Sequence, residues 1–373
     1  MKKVTYKLIF FLVAGTFLPL HASEPTFKEE FTREVHKTFD VSSGANLKVQ
    51  NKHGDIVIET WDKNQIQIDV LLKVKSNNSE KAQKFLNEID IDFSSSRSHV
   101  SAQTVYPDNN KSWWSNWFGD NNNLDYEVHY TINAPSVIST SIINKYGTIT
   151  QASIDGDCDV TNKYGDIYLD NISEDLVLNL GYGKAKAGVV GNTIVEMKSS
   201  TLKIEEASDI EMTVKHSKIK IERLSHMKLE SKYNSFDIGK VNTVSYSGKY
   251  DEIEIETIGT IDVEAKYSDL KIGQLNQEGS FDTKKGAVRI VSTGSSLQKI
   301  KIAAKYTDYK FNFSEDFHLE FLGSHSNLEL KEPYKTYLSD KDGSDLRLKA
   351  FRGSKDKGVQ IVADMRYGGL IIN

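Results

Sequence analysis

The sequence predicts an all-β fold, a single-stranded β-solenoid with coils of 17–18 residues. Three observations point there: a motif recurring at a short fixed period, apolar columns that line up across the repeats, and period-two alternation between those columns. The motif is Asn-Lys-Tyr-Gly at 144–147 and 162–165, and its aromatic position returns at Tyr146, Tyr164, Tyr182, Ser199, His216, Tyr233, Tyr250, Tyr267, Lys285, Tyr306 and His325. The steps are 18, 18, 17, 17, 17, 17, 17, 18, 21 and 19 residues. Further copies stand at Asn51-Lys52-His53-Gly54 and Arg366-Tyr367-Gly368.

Three residues after this marker the column is apolar, as at Ile167, Leu202, Ile219 and Ile253. Five after it stand Ile204, Ile221, Ile238, Ile255 and Ile272, and four before it Val160, Leu178, Val195 and Leu229. Lys, Glu, Asp, Ser and Thr fill the spaces, which is the alternation of strands with one face buried, and β-branched residues suit that surface. At ~3.3 Å per residue, 17 residues trace a coil of roughly 55 Å, and each coil would hydrogen-bond to the next at about 4.8 Å. The position after the marker holds Gly147, Gly165, Gly183, Ser200, Ser217, Asn234, Asp251 and Ser268. Such residues tolerate left-handed angles, which predicts the corner of the coil at that column. None of these glycines opens a helix, so no phosphate cradle is expected.

The rest of the chain is less regular. Residues 1–22 read as a secretory signal peptide: Lys2, Lys3 and Lys7, an apolar run from Leu8 to Leu20, then Leu20-His21-Ala22 as cleavage site. No Cys follows that site to take a lipid, and no later segment is apolar enough for a membrane helix. Residues 23–140 are expected to form N-terminal coils, with Phe39 to Leu71 supplying the first one or two. They also carry a helix over 78–89, in which Ala82, Phe85, Leu86 and Ile89 share a stripe and Asn78 or Ser79 is the cap. Residues 141–330 form the regular solenoid, and 331–373 a long loop followed by closing strands.

Composition excludes several classes of function. The chain has 373 residues, 38% hydrophobic and 27% charged, with 47 Lys+Arg against 52 Asp+Glu. Losing residues 1–22 removes three lysines and no acid, taking the formal charge from −5 to −8. An acidic exported chain is a poor partner for nucleic acid. Cys158 is the single cysteine, so no internal disulfide forms. It falls in the column of Leu176, Ile210 and Met227 and reads as a small buried hydrophobe.

No catalytic motif, cofactor motif or metal-ligand set is present. His53, His216 and His325 share the marker column but belong to distant coils, and His226 stands alone. Glu252 and Asp269 stack beside Lys249 and Lys266 as a surface charge mosaic, not as the paired carboxylates of a glycosidase cleft. Two features could bind. A lysine stripe precedes the marker, with Lys232, Lys249 and Lys266 at its centre. It is either a track for an anionic polymer or a set of solvated lysines whose stems cover the tyrosines. Trp113, Trp114, Trp117 and Phe118 lie in an Asn- and Asp-rich loop over 107–123, read either as a plug on the fold or as an aromatic binding tip.

The segments Asn51-Lys52-His53-Gly54-Asp55-Ile56-Val57-Ile58 and Asn162-Lys163-Tyr164-Gly165-Asp166-Ile167-Tyr168-Leu169 resemble the bacterial "putative adhesin" family of β-strand repeat proteins, an adhesin-head-like domain of unknown function. The resemblance covers nearly the whole chain after the signal segment. It implies a right-handed β-helix, a place in the cell envelope, periplasmic or surface, and no catalytic residues. The expected function is therefore an exported, non-enzymatic binding or scaffolding surface whose partner is an envelope glycan or protein. A polysaccharide lyase or hydrolase on the same architecture, and an envelope-sensing accessory protein, are the alternatives.

Overall fold

The computed structural model describes residues 28–106, 124–354 and 358–373. Among them, 25 strands and one helix, Ser79–Glu88, are found, and the strands join into one large mixed sheet that does not close. Through the middle of the chain the pairing is parallel and follows the sequence period. Ile204 pairs with Ile221, Ile221 with Ile238, and Ile238 with Ile255, each 17 residues on. All four are buried, as is Ile272. Cys158 sits in register between Thr140 and Leu176, and burial first of all pushes its thiol up to about 11.

The corners differ from expectation in one residue, and the difference is informative. Thirteen non-glycine residues among those described have φ between 50° and 65°, from His53 to Tyr367, and every one is a marker. The left-handed bend therefore falls on the marker at every repeat, and in the column after it only Gly54 and Gly286 also have positive φ. Left-handed geometry costs roughly 1–2 kcal/mol for a residue with a Cβ. Ring stacking between successive markers returns about 0.5–1.5 kcal/mol per pair, which offsets much of that cost. Such bends also explain how Glu252–Thr293 counts as one 42-residue strand: it turns at Tyr267 and Lys285.

The Gly/Ser column has another cause. A Cβ on Gly165 would lie 2.0 Å from the Gly147 carbonyl oxygen, and one on Gly183 2.1 Å from that of Gly165, so three successive backbones approach too closely for a side chain. In the following repeats polar side chains take over and bond to the preceding repeat. Ser200 Oγ accepts from Gly183 N–H, Ser217 Oγ from Ser200 N–H, and Asn234 Oδ1 from Ser217 N–H. Asp251, 3% exposed, accepts from Asn234 N–H and Nδ2, from Ser231 Oγ and from the Tyr246 hydroxyl. A buried carboxylate is tolerable only with such a complement of donors.

At both ends the spatial order departs from the chain order. Strand Ala45–Gln50 lies between His99–Val105 and Ile138–Lys145, and Ile56–Trp61 between Asp125–Pro135 and Ile149–Gln151. At the other end Val359–Arg366 lies between Lys299–Phe311 and Phe317–Ser324. Gly369–Ile372 follows the same arrangement between Lys299–Phe311 and Asn327–Leu330. The closing strands are thus inserted, not outermost.

Antiparallel strands flank these ends. Gln65–Ser76, expected as part of a coil, runs antiparallel to both Glu29–Asp40 and Asp125–Pro135. The segment read as a long C-terminal loop contains Lys335–Asp342 and Asp345–Arg352, an antiparallel pair turning at Gly343. The helix packs on Gln65–Ser76 and Glu29–Asp40 through Ala82, Phe85 and Leu86, and its cap Asn78 accepts from Lys81 N–H at 2.9 Å.

Candidate ligand-binding edge

The left-handed markers bring a column of rings to one edge of the molecule. His53 stacks on Tyr146 at 4.7 Å between centroids, Tyr146 on Tyr164 at 5.2 Å, and Tyr164 on Tyr182 at 5.0 Å. After Ser199 the column resumes with His216, Tyr233, Tyr250 and Tyr267 at 4.8–4.9 Å. It ends with Tyr306, Tyr367 and His325, each step 4.9 Å. Tyr367 stands between Tyr306 and His325 because its strand is inserted there, a neighbour relation that the sequence steps do not reveal. The tyrosines of the column are 41–46% exposed, so rings and hydroxyls reach solvent.

Lysines run beside the rings. Lys198, Lys215, Lys232, Lys249 and Lys266 are consecutive register partners on parallel strands. Like charges ~5 Å apart repel by about 1 kcal/mol in water. Other exposed columns avoid this by alternating sign between repeats: Arg223 binds Glu206, Lys228 binds Glu211, and Lys271 binds Glu254, all at 2.6–2.8 Å. The lysine column makes no such alternation. Part of its charge rests on the rings, with Lys145 Nζ 4.6 Å from the Tyr146 centroid, Lys163 4.9 Å from Tyr164 and Lys232 4.7 Å from Tyr233.

Lys232, Lys249 and Lys266 come together with Lys215, Glu230 and Glu264 along a shallow groove of about 580 Å³. Four cations and two anions leave this groove net positive on a chain that is acidic overall. Trp113, Trp114, Trp117 and Phe118 lie outside the described residues, as does the segment read as a signal peptide. His53 belongs to the ring column and is neutral at pH 7: burial, then Lys52 and Lys145, lowers its pKa to about 4. Lys285 occupies a marker position, and its Nζ lies over two rings, 5.0 Å from Tyr267 and 6.0 Å from Tyr306. Sequence reasoning missed that bridging role, although a lysine in the aromatic column was its signal.

Among the described residues, no three His, Cys, Asp or Glu side chains gather as a metal site requires, and no helix is long and apolar enough to cross a membrane. Glu254 is held by Lys271 on the exposed face.

No family model matches the sequence, and no curated protein does. Solved structures do match. A "putative adhesin" from Parabacteroides distasonis is 10% identical, with 75% of this chain and 97% of that chain covered, at a TM-score of 0.32. One from Parabacteroides merdae is 11% identical, covering 75% and 96%, at 0.30. A "putative cell adhesion protein" from Clostridium sporogenes is 9% identical, covering 92% and 99%, at 0.18. The two Parabacteroides proteins carry the name of the family that the chain's Gly-Asp-Ile segments resemble, and the Clostridium protein a related one.

Proposed function

We propose that the chain is an exported, non-enzymatic β-solenoid that presents its ring-and-lysine edge as an adhesin-like or scaffolding surface of the cell envelope. The 17- and 18-residue parallel registers support the solenoid reading, with residues 141–330 as its regular body and 1–22 as the export signal. One observation carries the binding function: five in-register lysines, unrelieved by alternating acids, stand beside a stacked column of exposed rings. An acidic polysaccharide fits that edge, because its charges repeat along a line and sugar rings pack against aromatic faces. Trp113, Trp114, Trp117 and Phe118 would add a second, aromatic contact.

The test is capture of acidic and neutral polysaccharides by the purified chain, with assay for new reducing or unsaturated ends. Retention of acidic chains, weaker at high salt and without cleavage, supports the reading. Cleavage would make the chain an enzyme, and indifference to polymer charge would remove the lysine edge from binding.

A further inference from the structure

The ring column is interrupted at two marker positions, and the two interruptions are treated differently. At Lys285 the break is bridged from within, since Nζ lies over the rings on both sides. At Ser199 the marker is a hydroxymethyl group, and Tyr182 on one side and His216 on the other lack the ring that would join them. Two backbone steps separate those rings, about 9.6 Å, which leaves room for one ring between them. Ser199 itself keeps the column's bend, at φ 53°.

The charges change at the same level. Two residues after the marker, the column elsewhere carries no cation, and at Asp55, Asp166, Glu252, Asp269 and Asp308 it carries an acid. Around the break it carries Lys184 and Lys218, with Thr201 in register between them. On the opposite side of the marker stand Lys198 and Lys215. All four lysines are exposed, and among the described residues none is in an ion pair. Two residues further along, by contrast, Lys203 is held by Glu222 at 3.1 Å and Lys220 by Asp237 at 2.6 Å. Four unpaired cations therefore surround the one unbridged break in the ring column among the described residues.

We propose that this break is a subsite for a single acidic sugar unit, its ring packed between Tyr182 and His216 over the Ser199 hydroxyl and its carboxylate or sulfate held by Lys184, Lys198, Lys215 and Lys218. The proposal rests on the edge-binding reading and deepens it: the extended lysine column draws the polymer in, and this subsite fixes its register. Rings on two sides, a hydroxyl on the floor and cations at both rims match a charged, hydroxylated ring.

The test uses the full chain and galacturonate oligomers, with sulfated galactose oligomers as the second anion source and neutral galactose oligomers as control. Ser199→Tyr places a tyrosine where eight others already adopt the same bend, so it fills the gap without straining the fold. It is expected to weaken binding tenfold or more while the melting temperature holds or rises. Lys184→Gln with Lys218→Gln is expected to weaken binding five- to tenfold and to flatten its salt dependence. Whichever anion source binds more tightly to the parent and loses more on Ser199→Tyr identifies the acid group. Lys232→Gln, Lys249→Gln and Lys266→Gln together report on the extended edge alone. If that triple variant loses binding while Ser199→Tyr binds like the parent, the subsite is overturned and the edge reading stands. If Ser199→Tyr loses binding and the triple variant does not, the subsite stands and the extended edge fails. Equal binding of neutral oligomers, or displacement of galacturonate by benzoate at equal concentration, would overturn the acidic sugar as occupant.

Discussion

The middle of the molecule and its two ends solve the same problem in opposite ways. From Ile138 to Thr293 each repeat pairs with the next one in sequence, so spatial order and chain order coincide. At each end the repeat nearest the regular body comes from closer to the chain terminus, and a more interior segment passes outside it. An array of parallel strands leaves unpaired edges that invite association. Inserting the terminal strands puts them between two partners, and the antiparallel strands then cover the exposed side. The difference teaches that regularity can propagate by local pairing, whereas termination requires long-range pairing.

The largest expected effect tests whether the inserted C-terminal strand belongs to the core. Ile361 is fully buried, as Ile255 is in the middle. Aspartate at either position should cost several kcal/mol, because an unpaired carboxylate is placed among aliphatic side chains. Similar falls in melting temperature for Ile255→Asp and Ile361→Asp are expected. A mild effect at Ile361 would mean a frayed last strand. Glu254→Lys, which removes only an exposed pair with Lys271, should cost about half a kcal/mol.

The polar column of the middle comes next. Asp251→Ala leaves Asn234 N–H, Ser231 and the Tyr246 hydroxyl without their acceptor and should cost about 2–4 kcal/mol by chemical denaturation. Ser217→Ala removes a neutral partner and should cost closer to about 1 kcal/mol. The reverse ranking would show that the network around Asp251 is not the organising one. For the aromatic residues, Trp113→Ser, Trp114→Ser and Trp117→Ser together distinguish the two readings: a melting temperature nearly unchanged with reduced glycan capture marks a binding tip. A large fall would mark the loop as a plug.

A small, pH-dependent effect concerns His53, at the N-terminal end of the ring column. Its pKa is about 4 in the folded chain against about 6.5 when unfolded, so the unfolded state binds more protons between those values. Stability from this group is complete above pH 6.5 and is lost as pH falls toward 4. Partial exposure limits it to about 1 kcal/mol after screening. Melting from pH 7 to 4 should show a shallower decline for His53→Tyr, which keeps a ring there, than for the parent. Parallel curves would contradict the assignment.

Much of the middle was legible because its period writes itself into every column: Ile204, Ile221, Ile238 and Ile255 align in sequence as they do in space. The same alignment located the rings and the lysines. The bend was read one residue late, since glycine and serine are the usual left-handed residues, and here stacking holds tyrosine in that conformation. Gly165 is required for close approach to Gly147 instead. At the ends the helix and the closing strands were legible, but their pairing was not. Alternation in Gln65–Ser76 and Val359–Arg366 identifies strands but carries no information about direction or partner, so Tyr367 gave no sign that it stands beside Tyr306.

Cysteine pairs across the C-terminal end test the out-of-order stacking most directly. Lys301 is in register with Val362, and Val362 with Glu320. Cys158 is buried with its thiol pushed up to about 11 and will not compete. Under mild oxidation Lys301→Cys with Val362→Cys, and Glu320→Cys with Val362→Cys, should cross-link readily, and Lys301→Cys with Glu320→Cys should not, because a strand lies between them. Rapid cross-linking of the Lys301 and Glu320 positions, with none to position 362, would mean that the repeats stack in chain order to the end.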